Sequence, residues 1–210
     1  MIRDSYKAGD VLLTYEEFYG DDYPKLQKVE QKMLFVLHTY KLQAEEASDL
    51  QPIVYVCSRI KKPNKMLEKL ERRGYEKNRR SALNNVYDAV GVRAVCAFSE
   101  DVFRLANWLR TRDDIEIVQE KDYYGNPKPN GYRSYHLIVR VPVAQDECYF
   151  SEIQLRTIAD DFWAVLDHRL NYKKDIPHKQ IIQEELKRCA LEIASVDASM
   201  QAIRDLLNEA

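Results

Sequence analysis

Apolar residues recur at steps of three and four along residues 22–48: Leu26, Val29, Met33, Val36, Tyr40, Ala44 and Ala47. That period predicts a long helix. Asp21 or Asp22 is placed to cap it, and Pro24 suits its first turn. The twenty or so residues before it show no clear period. The pattern then changes. Ile53–Cys57 is β-branched and aromatic and predicts a strand running on through Ser58–Lys61. Pro63 opens a helix that ends near Gly74. Val90–Phe98 predicts a second strand, apolar enough to be central. Ser99 is the expected N-cap of a helix reaching about Thr111, with Glu100 and Asp101 in its first turn. Ile115–Asp122 predicts a third strand. The Pro- and Gly-containing loop 123–131 leads into a fourth at Tyr135–Val143. A short turn at Gln145-Asp146 gives a hairpin to a fifth, Cys148–Arg156. Ile158–Leu170 predicts a helix.

The final segment, 178–208, carries Ile182, Leu186, Cys189, Ile193, Val196, Met200, Ile203 and Leu207. Their spacing alternates four and three, a heptad pattern. An intramolecular helix pair and a subunit interface both produce it. Together the elements predict one α+β domain over residues 1–210. It comprises an N-terminal helix (22–48), a five-stranded core (53–172) and a C-terminal helix (178–208).

Composition adds bounds. The chain has 210 residues, 45% hydrophobic and 31% charged, as in a soluble globular protein. No apolar run is long enough to span a bilayer. Met1–Tyr6 lacks a signal peptide's apolar core, so a cytoplasmic location is expected. Cys57, Cys96, Cys148 and Cys189 are scattered, with no Cys-x-x-Cys pair. Three lie in strand-like runs, so reduced, buried packing is expected of them, and no zinc site. The net charge of −2 hides an asymmetry: residues 59–80 hold ten Lys or Arg against three Glu. Such an island is either a solvated helix face or a polyphosphate site. A duplex-binding domain would show a larger basic excess.

Common phosphate-loop, dinucleotide, zincin and nucleophile-elbow motifs are absent. Only six glycines are present, so a nucleotide would have to be held by side chains. The densest candidate is Lys128-Pro129-Asn130-Gly131-Tyr132-Arg133-Ser134-Tyr135-His136. Tyr132 offers a flat face for a base, Lys128 a cation, and Gly131 a close backbone approach. Tyr135 falls on the inward phase of the strand and reads as packing. His136 is either a structural hydrogen-bonder or a participant. Asp88, just before the second strand, and Glu152, on the fifth, could together hold Mg2+. Alternatively, Asp88 caps a turn and Glu152 pairs with a lysine. Arg59 and Arg93 could sandwich a purine, or Arg93 could simply form an ion pair.

Three segments together, Tyr87–Arg93, Lys128–His136 and Glu152–Thr157, with Ser58–Lys62 upstream, resemble the RelA/SpoT-type alarmone synthetase domain in order and spacing. The likeness runs from about residue 22 to the end and lacks the family's hydrolase motif and long regulatory region. It implies a small, single-domain synthetase with a nucleotidyltransferase-like mixed sheet. The implied reaction is Mg2+-dependent transfer of pyrophosphate from ATP to the 3′-hydroxyl of GDP or GTP, making ppGpp or pppGpp. The resemblance assigns Arg59 and Arg93 to the adenine, and Lys61, Lys69 and Arg72 to the ATP phosphates. It assigns Asp88 and Glu152 to the metal, Tyr132 to the guanine, and Lys128, Asn130 and His136 to the acceptor's surroundings. Gln154 would lie near the reacting groups, and Glu152 would orient or deprotonate the hydroxyl. Tyr135 stands where leucine is usual and could alter the acceptor pocket; Leu155 replaces isoleucine. A homotetramer is also implied. The competing expectations are an enzyme of the same fold acting on adenine nucleotides or the 3′ end of tRNA, and a non-catalytic module holding nucleotides or single-stranded RNA.

Overall fold

In the computed structural model, residues 13–47, 51–170 and 178–209 are described. The expectations for Met1–Tyr6 and for the Ala47 side chain fall outside them. Helices are α1 (Tyr15–Tyr19), α2 (Tyr23–Ala47), α3 (Pro63–Arg72), α4 (Arg79–Asn84), α5 (Ser99–Arg110), α6 (Ile158–Leu170) and α7 (Lys179–Glu209). Strands are β1 (Ile53–Ile60), β2 (Val90–Cys96), β3 (Glu116–Asp122), β4 (Tyr135–Ala144) and β5 (Glu147–Thr157). They form a single mixed sheet of order β1-β2-β5-β4-β3, in which β2 and β5 run parallel and the other pairs antiparallel. The expected α+β, five-stranded architecture with long helices near both ends is borne out.

The two short helices, α1 and α4, escape a period-based reading because neither completes two turns. Both are set by caps. Thr14 and Glu17 form a reciprocal capping box on α1. The Asn78 side chain accepts from Ser81 N on α4, satisfying donors that no helical carbonyl can reach. Two expected caps are corrected. Asp21 and Asp22 lie in a 3-10 turn continuous with α2, and Asp22 instead accepts from the Tyr149 hydroxyl and pairs with Arg79. Phe98 occupies the cap position of α5 without a side-chain bond, and the Ser99 hydroxyl turns toward Gln201 on α7.

Register divides the sheet into two faces, because paired residues point the same way and neighbours alternate. On one face Val92, Ala94, Leu137, Val139, Ile153 and Leu155 are buried beneath α2 and α5. Leu26, Val29, Met33 and Leu37 of α2 are fully buried there, each stabilising by about 1.5–3 kcal/mol. Tyr135 belongs to this core face, its hydroxyl bound to Glu120 and Arg110. It therefore does not enter the acceptor side, correcting that expectation. Of the strand cysteines only Cys96 is buried; Cys57 and Cys148 are exposed, and all four are free thiols. Cys57 pairs with Arg93 and so falls on the opposite, polar face.

Candidate active site

The polar face is built by two cross-strand rows. Arg59 pairs with Gly91, which pairs with Glu152; two residues along, Cys57, Arg93, Gln154 and His136 lie side by side. Gly91 leaves the middle of the first row without a side chain. The result is a cleft lined by Arg59, Asp88, Gly91, Arg93, Glu152 and Gln154. Asp88 sits in the turn before β2, outside the strand's alternation, which lets it share the cleft with Arg93 despite their odd spacing. Lys61 and Lys69 Nζ each lie 2.6 Å from the same oxygen, Asp88 Oδ2. Burial opposes the Asp88 charge, but the two ammonium groups outweigh it and hold the carboxyl below its usual range. Burial likewise draws Lys61 below the usual lysine value. Two cations on one anion leave a net positive charge, and Asp88 Oδ1 is buried without a hydrogen-bond partner.

The second half of the site is a closed hydrogen-bonded circuit. Glu152 Oε1 faces His136 Nδ1 at 3.2 Å, and His136 Nε2 meets the Tyr132 hydroxyl at 2.8 Å. Arg156 donates to that hydroxyl at 2.8 Å and to Gln154 Oε1 at 3.1 Å. Gln154 Nε2 donates to Glu152 Oε2 at 2.8 Å. Burial lowers the His136 pKa against the opposing pull of Glu152. Nδ1 faces a carboxylate that can only accept, so Nδ1 carries a proton, and Nε2 is left to the Tyr132 hydroxyl. Burial would raise Glu152, yet donation from His136 and Gln154 outweighs it and brings the carboxyl down to about 2. Arg156 and Arg93 both pair with Asp161 on α6, at 2.9 and 3.0 Å. The ion pair considered for Arg93 therefore exists, and it fixes the guanidinium at the cleft wall.

Lys128 to Tyr132 forms a tight turn in which Gly131 N donates to Lys128 O and Lys128 N to Tyr132 O. Asn130 stabilises it by accepting from Tyr132 N. The Lys128 ammonium stands 4.7 Å from the Tyr132 ring centre and 4.9 Å from that of Tyr123. Gly131 has φ +88°, which the turn itself requires, and its missing Cβ also leaves room for Ala190 of α7. Arg72 is exposed at the end of α3 and does not line the cleft. Glu152 pairs with His136, not with a lysine. Tyr123, Arg156 and Asp161 are site residues that motif reading passed over. Strand alternation alone would have found Arg156, two residues beyond Gln154.

Residues 58–177 match the model of the region found in RelA/SpoT proteins. The chain belongs to the RelA/SpoT family. Among curated relatives it is 40% identical to the GTP pyrophosphokinase YwaC of Bacillus subtilis, over 73% of this chain and 74% of that protein. It is 34% identical to YjbM of the same organism, over 87% and 84%. The crystal structure of small alarmone synthetase 1 from B. subtilis, bound to its product pppGpp, superposes with a TM-score of 0.80 at 30% identity. That match covers 87% of this chain and 94% of the other. The matched span 58–177 contains the cleft and the circuit alike. Among the described residues no helix is long and apolar enough to cross a membrane.

Proposed function

We propose that the protein is a small alarmone synthetase working as one domain in the cytoplasm, transferring pyrophosphate from ATP to the 3′-hydroxyl of GDP or GTP. The observation that carries this reading is the meeting of two half-sites on one sheet face: the cationic Lys61–Asp88–Lys69 cluster and the Glu152–His136–Tyr132 circuit. Arg59 and Arg93 come from adjacent strands and line the same cleft, and in this reading the adenine stacks between them. Lys61 and Lys69 offer the charge that phosphates would neutralise; Arg72 is too peripheral to share that role without movement of its side chain.

Tyr132, Lys128, Asn130 and His136 form the acceptor half. Arg156 also stands over the Tyr132 ring, 5.1 Å from its centre, but is buried and tied to Asp161, so a guanine stacking on Tyr132 takes the place that Lys128 on the turn now fills. The unpartnered Asp88 Oδ1, with ionised Glu152 across the same cleft, suits a hard divalent cation such as Mg2+. Two carboxylates leave the rest of its shell to water and phosphate oxygens. Bound there, the metal would offset charge on the transferring group. Glu152, held by His136 and Gln154, would orient the hydroxyl or take its proton while helping to hold the metal. Catalysis is then chiefly positioning and electrostatics.

The test is product formation from radiolabelled ATP with GDP or GTP, resolved by thin-layer chromatography beside AMP and tRNA as acceptors. Guanosine tetra- or pentaphosphate is expected. Asp88→Asn and Glu152→Gln should each lower turnover by about 10²-fold or more. Full activity in both variants, or labelling of AMP or tRNA in preference to GDP, would sink the reading.

A further inference from the structure

The Lys128–Tyr132 turn rests on α7. A Cβ on Gly131 would lie 2.5 Å from Ala190 Cβ and 3.6 Å from Lys187 O. Ala190 is buried in a small cluster with Trp163 and Ala164 of α6, against which Tyr132, Leu186 and Ile193 pack. The cluster is pinned by Trp163 Nε1 donating to Leu186 O at 2.9 Å. Asn130 Nδ2 approaches Asp167 Oδ2 of α6 at 3.5 Å. The turn thus reaches the sheet on one side through the Tyr132 hydroxyl and the helix pair on the other through Gly131. At the helix contact neither partner has room: glycine on the turn and alanine on α7 are the two smallest side chains available.

We propose that Ala190 is a positioning residue for the acceptor nucleotide. It touches no reacting group. It sets how closely the turn approaches α7, and so where the Tyr132 ring stands relative to His136 and Glu152. This rests on Tyr132 being the acceptor's stacking residue. The donor-side groups Arg59, Lys69 and Arg93 are carried by β1, α3 and β2, and Lys61 by the connection from β1 to α3, not by the turn. A larger side chain at 190 should therefore weaken acceptor use and spare ATP.

The experiment compares Ala190→Leu and Ala190→Ser with the unaltered protein. It reads KM for GDP and for ATP separately, and GDP and non-hydrolysable ATP-analogue binding by calorimetry. Ala190→Leu should raise the GDP KM by about tenfold or more and leave the ATP KM within about twofold. Ala190→Ser, whose hydroxyl can turn back onto the α7 carbonyls and away from Gly131, should stay close to the unaltered protein. A merely structural role would move both KM values together, or neither while the melting temperature falls; either result overturns the proposal. If Ala190→Leu does not fold, a cycle of Gly131→Ala and Ala190→Gly decides. Gly131→Ala should weaken GDP binding less when residue 190 lacks its methyl, and strict additivity would refute the contact. Should the unaltered protein make no product from ATP and GDP, the activity reading fails on its own. Calorimetric GDP binding then still judges Ala190.

Discussion

The Tyr132 hydroxyl accepts from Arg156 and is hydrogen-bonded to His136 Nε2, so the ring is aimed by two buried partners. Tyr132→Phe keeps the stacking face and removes the hub. His136 Nε2 and one Arg156 donor are left short, at a cost of about 1–3 kcal/mol. We expect a lower urea midpoint with an unchanged slope, and a higher GDP KM with the ATP KM unmoved. An unchanged midpoint would mean the circuit contributes nothing to stability. Glu152 has a pH consequence of its own. Its folded pKa, about 2, lies below its ordinary 4.5. The stability it contributes is therefore present above pH 4.5 and lost as pH falls toward 2. Glu152 stays ionised across the working range, so a pH–rate profile should show no limb between pH 5 and 7 that vanishes in Glu152→Gln.

The strands were legible because their β-branched runs end in turn residues, and alternation on β5 alone predicts that Glu152, Gln154 and Arg156 share a face. Which other side chains they meet was not legible. The Arg59–Gly91–Glu152 row depends on the parallel pairing of β2 with β5, a contact between segments some sixty residues apart. Helix docking hides a further feature of that kind. Asp197, on the buried side of α7, lies near Asp160 of α6, with Thr157 and Arg133 also facing it; Tyr124 and Arg133 contact Asp160. Burial, then the Asp160 charge, raises Asp197 from 3.8 to about 6. The folded carboxyl holds its proton more tightly than the unfolded one, so stability falls as pH rises from about 3.8 to about 6 and is level above. Asp197→Asn keeps the Thr157 partner and removes the charge. It should raise the melting temperature at pH 7.5, by about 2–4 °C for each kcal/mol relieved, and flatten the slope between pH 4 and 6. A lower melting temperature at pH 7.5 would mean the charge is satisfied where it lies.

Across the whole molecule the C-terminal heptad splits in two. Ile182, Leu186, Cys189 and Ile193 are partly buried, whereas Val196, Met200, Ile203 and Leu207 are exposed by 61, 50, 51 and 73%. The line that docks farther along the helix is instead Ala190, Asp197 and Arg204, also spaced by sevens. Arg204 donates to buried Asp101 of α5 at 2.8 Å. A polar line with the same period as the apolar one is invisible to a hydrophobic repeat, so the sequence left docking and assembly open, and α7 offers a surface for each. The outer stripe continues the packed half of the heptad in register, and coiled-coil pairing of such stripes favours a second copy of the same helix. The homo-oligomer expected from the sequence would use this stripe, and two charges placed on it test that expectation. Met200→Glu with Ile203→Glu places two charges on the seam and none in the core. The unaltered protein should sediment as an oligomer and the double variant as a monomer, with the α7–α5 ion pair and the far-ultraviolet helix signal retained. Because the stripe lies beyond Ala190 on the same rigid helix, the monomer's GDP KM should rise more than its ATP KM. An unaltered protein that is already monomeric at micromolar concentration would remove the interface. A monomeric variant with the original GDP KM would show that assembly and acceptor binding are independent.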